Sequence, residues 1–481
     1  MNSLLKTTVF SLAVLAGASL SLPAADAKLM VEVPVPALEL APRLGRPFSD
    51  NAIFQQQKPI PVWGWSLPGA EVTVTFDQQK KSAVAGADGR WQVTLSAMPA
   101  DKLKSLNEAP AGHTLTVVTK LGGKEETKTF KNILIGEVWL CSGQSNMCGP
   151  LRMNPYPPGT IEQASYPALR KQADDVWTIC TPETAGKFSR VAFCFGRELQ
   201  SKIMVPVGLI YAAVGGTQIE SWLSKPYDGK SPISKYEHFI PLILPLSGYA
   251  MRGCIWYQGE GNEKDRRNYF SKMKSLIEGW RQIWNQGDFP FYFVQIASIG
   301  TSPTNQPAGG DGRAEIRNAQ LQALGLKNTG MAVTIDIGSV KEHPLNKYDV
   351  GLRLARWALH NDYGFKDLVP SGPICKAINI EGKTIRVMFD YAQNGLMLAK
   401  KDGYLPPVPT PDAPMPWLSI QAKDGTWHWA EGKIDGADLL VSAKEVSEPI
   451  AVRYAYTQYP VGCNLYNKDG LPTSPFTTCG Y

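Results

Sequence analysis

The sequence predicts an α/β fold: a parallel sheet of five strands, covered by helices and flanked by β-rich regions. Two patterns predict it. Between about residues 132 and 366, short apolar runs alternate with segments whose apolar residues recur every three or four positions. On either side, the chain instead alternates or runs apolar over five or six residues between turn signals. A chain of 481 residues also exceeds one ordinary domain and suits about two to four.

The division this suggests is residues 1–27 as a leader, 28–131 as a β-sandwich-like region, 132–366 as the α/β unit and 367–481 as a second β-rich region. The leader reads as a secretory signal. Lys6 supplies the positive start, Val9 to Leu22 is apolar and rich in small residues, and Ala25-Asp26-Ala27 fits a small-x-small cleavage site. No other segment reaches the roughly 18 apolar residues that a spanning helix needs. The mature protein is therefore expected to be soluble, in a periplasm or outside the cell, with no membrane partner. Its composition, 43% hydrophobic and 19% charged, is globular. The net charge of +6 is scattered, with no basic run interleaved with aromatics, so nucleic acid is not an expected partner. Eight cysteines in an exported chain permit disulfides, with Cys463–Cys479 and Cys180–Cys194 as possible pairs. No CxxC pair is present, and no metal site is expected.

In the first β zone, Pro61 to Trp65, Glu71 to Phe76 and Trp91 to Leu95 read as strands, punctuated by Pro68-Gly69 and Asp88-Gly89. In the α/β unit, buried-type strands read at Glu137–Ser142, Val207–Val214, Gly253–Gln258, Phe291–Ala297 and Met331–Ile337. The clearest helix between them carries Phe270, Met273, Ile277, Trp280 and Trp284, with Gly287 beyond as a stop. Others cover roughly 188–201, 314–326 and 347–363. In the last zone, Thr384–Phe389 and Ile450–Ala455 alternate, and six prolines between 406 and 416 mark a loop that covers a sheet edge.

In an open parallel sheet, ligands bind at the carboxyl ends of the strands. The first strand ends in Gly143-Gln144-Ser145-Asn146-Met147, where glycine permits a sharp turn and exposes Ser145 as a candidate nucleophile. The second ends in Val214-Gly215-Gly216-Thr217, whose amides can face a developing oxyanion. The third ends in Trp256-Tyr257-Gln258-Gly259-Glu260-Gly261-Asn262, with Gln258 and Asn262 as neutral donors. A serine nucleophile needs a base that works near pH 7. Of the five histidines, His113 and His428 lie in β zones, His360 falls in a helix pattern and His238 sits among aromatics; His343 alone follows a strand of the parallel sheet.

These ordered blocks resemble the SGNH-hydrolase superfamily, specifically its sialate O-acetylesterase (SASA) branch of carbohydrate esterases. The resemblance rests on Glu137 to Met147, on Val214 to Thr217 with Glu220 and Trp222, on Trp256 to Asn262, and on His343-Pro344 with Asn346, Lys347, Gly351, Arg353, Leu354 and Trp357. Gly64-Trp65, Asp88 to Trp91 and Pro475-Phe476 extend it over nearly all of the mature chain. It implies a flavodoxin-like catalytic sheet, no cofactor, and removal of acetyl groups from a sugar or glycan substrate. It also implies Ser145 as nucleophile and His343 as base, with amides of Ser145 and Gly216 and the Gln258 side chain as oxyanion donors.

The chain departs from this pattern at one place. The superfamily carries an aspartate two or three residues before the histidine, where this chain has Lys341 and Val340. Glu342 is taken as the acid that orients His343, ahead of Asp336; a backbone carbonyl is the third option. Trp222, Trp256 and Tyr257 are candidates to stack on sugar rings, with core packing as their other reading. Alternatives to a sialate-type esterase are an acetylesterase of plant or algal polysaccharide, of acetyl-xylan type, and a carbohydrate-binding relative without catalysis. A glycosidase built on Glu220 and Glu260 needs those carboxyls roughly 5–9.5 Å apart across a sugar site.

Overall fold

A computed structural model describes residues 37–225, 237–302 and 304–479. The proposed leader lies outside them. No helix among the described residues is long and apolar enough to cross a membrane.

The centre of the molecule is strand β1, Lys124–Gly143. Its burial changes along its length, from exposed at Lys124 to fully buried from Ile133 onward. The first half pairs antiparallel with His113–Leu121, within the sheet that also holds Glu71–Phe76 and Gln79–Val84. Ile53–Gln55 pairs with the middle of β1 in parallel. The second half lies at the heart of the α/β sheet. One hydrogen-bonded strand therefore passes through position 131/132 and ties the N-terminal β region to the α/β sheet. Ile60–Trp65 and Arg90–Leu95 form a separate antiparallel layer. Its Val62, Trp63, Trp91 and Val93 share a buried cluster with Val72, Val74, Phe76 and Val117 of the other sheet.

The remaining strands of the α/β sheet are β2 (Tyr166–Ala173), β3 (Val176–Cys180), β4 (Val207–Ala213), β5 (Gly253–Tyr257), β6 (Phe291–Val294) and β7 (Thr329–Ala332). Their order is β3-β2-β4-β1-β5-β6-β7. The strands expected at β1, β4, β5, β6 and β7 are parallel neighbours. The sheet is nevertheless mixed and wider than five strands: β2 adds in parallel to β4, and β3 closes the edge antiparallel to β2. That hairpin turns through Asp174 and Asp175, both with positive φ, the backbone of a two-residue type I′ turn.

Among the described residues the sheet is covered by helices α1 (Arg190–Ile203), α2 (Tyr269–Trp284), α3 (Gly312–Gln322) and α4 (Tyr348–Asp362). Helix α2 buries Met273, Ile277, Trp280 and Trp284, the stripe its spacing predicts. The last β region contains an antiparallel sheet of Ile374–Glu381, Thr384–Asp390, Asp438–Ser442 and Glu431–Asp435. A second joins Trp427–Trp429, Leu418–Ala422, Pro449–Tyr454 and Phe476–Thr477. Within the proline-rich segment, Val408 and Pro409 pair with the edge of Leu396–Lys400. All eight cysteines are thiols, so neither suggested disulfide is formed. Cys180, Cys194 and Cys463 are instead buried packing groups whose thiol pKa values burial pushes up to about 12.

Candidate active site

The carboxyl end of β1 is shaped by Gly143. Its φ of +137° and the Tyr257 carbonyl oxygen, 2.2 Å from where a β-carbon would stand, leave room for glycine alone. The chain then turns into a short helical segment, Ser145–Cys148. Position 145 opens that segment, so its amide has no partner within it. Ser145 Oγ lies 2.9 Å from Nε2 of His343, which arrives on the loop beyond β7. This hydrogen bond joins the expected nucleophile and base.

Gly215 and Gly216 turn beside the serine. A β-carbon added to Gly215 would stand 3.5 Å from Ser145 Cβ, and Gly216 has a φ of +74° in an open position. The exposed Gly216 amide donates no backbone hydrogen bond among the described residues. It is thus available to an oxyanion at the serine.

Gln258 is brought to the site but does not face it. Its amide nitrogen donates to Thr217 O at 3.1 Å and to Asn262 Oδ1 at 2.7 Å, and its Oε1 accepts from Tyr269 Oη at 2.7 Å. The side chain is fully buried and both its N–H groups are committed. The structure gives Gln258 a supporting place, holding Thr217 next to the glycine turn, in contrast to the direct donor role expected. Asn262 is likewise committed: its Nδ2 donates to Glu220 Oε2 and Asp265 Oδ2, and its Oδ1 accepts from the Ile219 amide.

Neither candidate acid reaches the imidazole. Among the described residues, the Glu342 carboxylate makes no hydrogen bond or ion pair; only its carbonyl takes part, accepting from Asn146 Nδ2 at 3.4 Å. Asp336 is buried in a two-pronged pair with Arg353, at 2.7 and 2.8 Å, and also accepts from Tyr466 Oη. That pair anchors helix α4 beneath the His343 loop. Among the described residues the arrangement is a Ser–His pair, with no third side chain hydrogen-bonded to Nδ1.

The residue that sequence reasoning undervalued is Glu260. Its buried carboxylate accepts from Gln144 Nε2 at 2.7 Å and from Asn146 Nδ2 at 2.6 Å. It therefore grips the side chains on both sides of the nucleophile. A glutamate between two glycines just after a buried strand was the available signal. Lys347 is a second such residue. It is buried, donates from Nζ to Pro344 O at 2.8 Å, and lies over the Tyr257 ring. Burial, with repulsion from Arg190, lowers its pKa to about 7 against the pull of Glu260.

Trp222, Trp256 and Tyr257 are fully buried and form core, not a sugar platform. Trp256 meets Trp222 and Trp280 edge to face. The other histidines are engaged elsewhere: His113 with Asp77 and Asp101, His238 against Trp222, His360 with Leu368 O and His428 with Thr426. Glu220 is held by Lys272 and Asn262. Burial acts to raise its pKa, but those hydrogen bonds outweigh it and leave it below the ordinary carboxylate value. A glycosidase acid needs the opposite shift. Among the described residues no cluster of three metal-ligating side chains is present.

Residues 135–356 match the family model described as carbohydrate esterase, sialic acid-specific acetylesterase. The chain is 28% identical over 500 residues to the sialate O-acetylesterase of Homo sapiens, covering 89% of this chain and 91% of that protein. It is 28% identical over 532 residues to the sialate O-acetylesterase of Rattus norvegicus, covering 89% and 93%. A carbohydrate acetylesterase from Xanthomonas citri, of solved structure, superposes with a TM-score of 0.81 at 32% identity, covering 92% of this chain and all of that one. The chain belongs to the sialic acid-specific acetylesterase (SASA) family of carbohydrate esterases.

Proposed function

We propose that this carbohydrate O-acetylesterase works through a serine acetyl-enzyme at Ser145. The observation that carries the reading is the 2.9 Å hydrogen bond between Ser145 Oγ and His343 Nε2, set beside the open Gly216 turn. Nε2 takes the hydroxyl proton as Oγ attacks the acetyl carbonyl. Amides at Ser145 and Gly216 receive the oxyanion, each well-placed donor contributing about 3 kcal/mol to the transition state. The imidazolium then protonates the departing sugar oxygen, and water repeats the sequence on the acetyl-enzyme. Glu260, Gln258 and Lys347 act as positioning residues, through the serine turn, the glycine turn and the histidine loop respectively. The leader read in residues 1–27 points to action in a periplasm or outside the cell.

The test is acetate release from O-acetyl sialic acid and acetylated xylan. Wild type is expected to release acetate, and Ser145→Ala to lose at least about a thousandfold in kcat. Equal release by the variant overturns the serine mechanism.

A further inference from the structure

His343 is exposed, and among the described residues Ser145 Oγ is the one hydrogen-bond partner of its ring. With neither burial nor an acid to orient the imidazole, its direction is set by the backbone that carries it. Pro344 beside it is buried, and its ring fixes φ at that position. Leu345 O accepts from Asn154 Nδ2 at 3.3 Å and from Arg190 Nη1 at 3.4 Å, both long bonds. Besides the bond from Lys347 to Pro344 O, the short side-chain bonds on this loop belong to Asn346, to which the catalytic step assigns no task.

Asn346 Oδ1 accepts from the Asp349 amide at 3.0 Å, satisfying a free N–H in the first turn of α4. That task needs the oxygen alone. Its Nδ2 donates elsewhere, to Asp349 Oδ2 at 2.7 Å and to Gly403 O at 3.0 Å. Asp349 Oδ2 in turn accepts from Lys401 Nζ at 2.6 Å. Lys401 and Gly403 sit at the tip of a hairpin in the last β region, whose strands Leu396–Lys400 and Val408–Pro409 pair Lys400 with Val408. Leu396–Lys400 is also paired with Leu465–Asn467, so the tip rests on a sheet. Within the tip, Lys401 Nζ donates to Leu405 O at 2.7 Å. The Tyr404 hydroxyl accepts from Asn154, and its ring stacks on Tyr156 with centres 3.8 Å apart.

Stability alone is a poor reason for a lysine at this place. The Lys401 side chain is 6% exposed and that of Asp349 15%. Burying an ammonium costs desolvation, and a cation at a helix N-terminus opposes the helix dipole. The Asp349 carboxylate suits that N-terminus without any lysine. What the pair adds is a connection. One oxygen of Asp349 joins the ammonium of the hairpin tip to the side chain of Asn346, three residues beyond His343.

We propose that Lys401 is a positioning residue for the esterase reaction, acting through Asp349 and Asn346 on the backbone that aims His343 at Ser145. The last β region thereby supplies part of the orientation that an acid on Nδ1 supplies in a triad. A displacement of about 1 Å at a reacting group costs up to about a hundredfold in rate, so a loosened loop is felt in turnover. The inference rests on the serine mechanism proposed above and adds what keeps its base in line.

Lys401→Met is compared with wild type in acetate release and in labelling of Ser145 by a fluorophosphonate, at a temperature where thermal melting shows each protein fully folded. In the labelling step Oγ displaces fluoride from phosphorus and its proton passes to His343, with no sugar bound. The expected result is a fall of about tenfold or more in both kcat and labelling rate, with KM within about twofold of wild type. A kcat and labelling rate equal to wild type overturn the proposal, as does a change in KM alone or a fall in kcat that leaves labelling unchanged. If Lys401→Met does not fold, Lys401→Met combined with Asp349→Asn removes both charges of the pair and decides by the same criteria. Acetate release by wild type without labelling of Ser145 overturns the serine mechanism and this proposal together. An active, labelled wild type beside an unimpaired variant overturns this proposal alone.

Discussion

Ser145 and His343 are 198 positions apart, yet each carries a local mark of the role proposed for it: a glycine turn at a strand end, and a histidine beyond another strand of the same sheet. What holds them was not marked. The Glu342 carboxylate is exposed and unpaired among the described residues, so Glu342→Gln is expected to keep kcat within about twofold of wild type; a fall of ten times or more in initial rate shows that the carboxylate acts. Lys347 makes a sharper prediction. Its folded pKa of about 7 lies below the ordinary 10.5, so the unfolded chain binds more protons between those values. The buried charge therefore destabilises the fold fully below about pH 7, and stability recovers as pH rises through that window. Relative to wild type, Lys347→Met is expected to be more stable at pH 6 than at pH 9 in urea titrations. An equal offset at both pH values places the lysine's charge elsewhere than in this burial.

Among the elements, β1 carries the largest structural responsibility. Where β1 enters the α/β sheet, its fully buried Glu137 accepts from Arg252 twice at 2.7 Å, and from Gln55, Gln56 and Tyr363. These partners come from the N-terminal β region, the start of β5 and the end of α4. Glu137→Ala leaves Arg252 without its acid partner and opens all three joints. It is expected to lower stability by about 3 kcal/mol, measured by urea unfolding. Burial also lowers the Lys58 pKa nearby to about 8, with Arg252 reinforcing the shift and Glu137 opposing it, so the same variant adds to the repulsion between two cations.

For the whole molecule, the last β region is tied into the α/β unit. Fully buried Arg317 on α3 donates to Thr457 O and Gln458 O as well as to Ile296 O and Ala297 O. Burial lowers its pKa to about 10, so it stays cationic while hydrogen-bonded to these four carbonyls. Gln295 beyond β6 bonds Ser474, Asp336 bonds Tyr466, and the His343 side is tied down through Asn346 to Gly403 and Asp349 to Lys401. A chain cut after residue 366 uncovers Arg317 and frees both catalytic loops. It is expected to show no cooperative thermal transition and no acetate release; a folded, active fragment refutes this coupling.

Strand and helix periodicity, the serine turn and the histidine were legible in the sequence, because each depends on residues close together in the chain. The β2–β3 hairpin was missed because Asp174-Asp175 is a weaker turn signal than Asn-Gly, although both residues adopt the same positive φ. Only the tertiary structure decided which polar side chains face the reaction and which support it. Gln258 and Asn262 read as donors until Thr217 and Glu220, some forty residues earlier, are seen to accept from their N–H groups, and Glu260 is a clamp only because Gln144 and Asn146 are folded onto it. In the same way, Trp222, Trp256 and Tyr257 became core while Trp429 stayed at the surface. The sequence by itself determined the chemistry on offer at each strand end. A hydrogen bond and a buried face belong to pairs of segments far apart in the chain, so their assignment was left to packing.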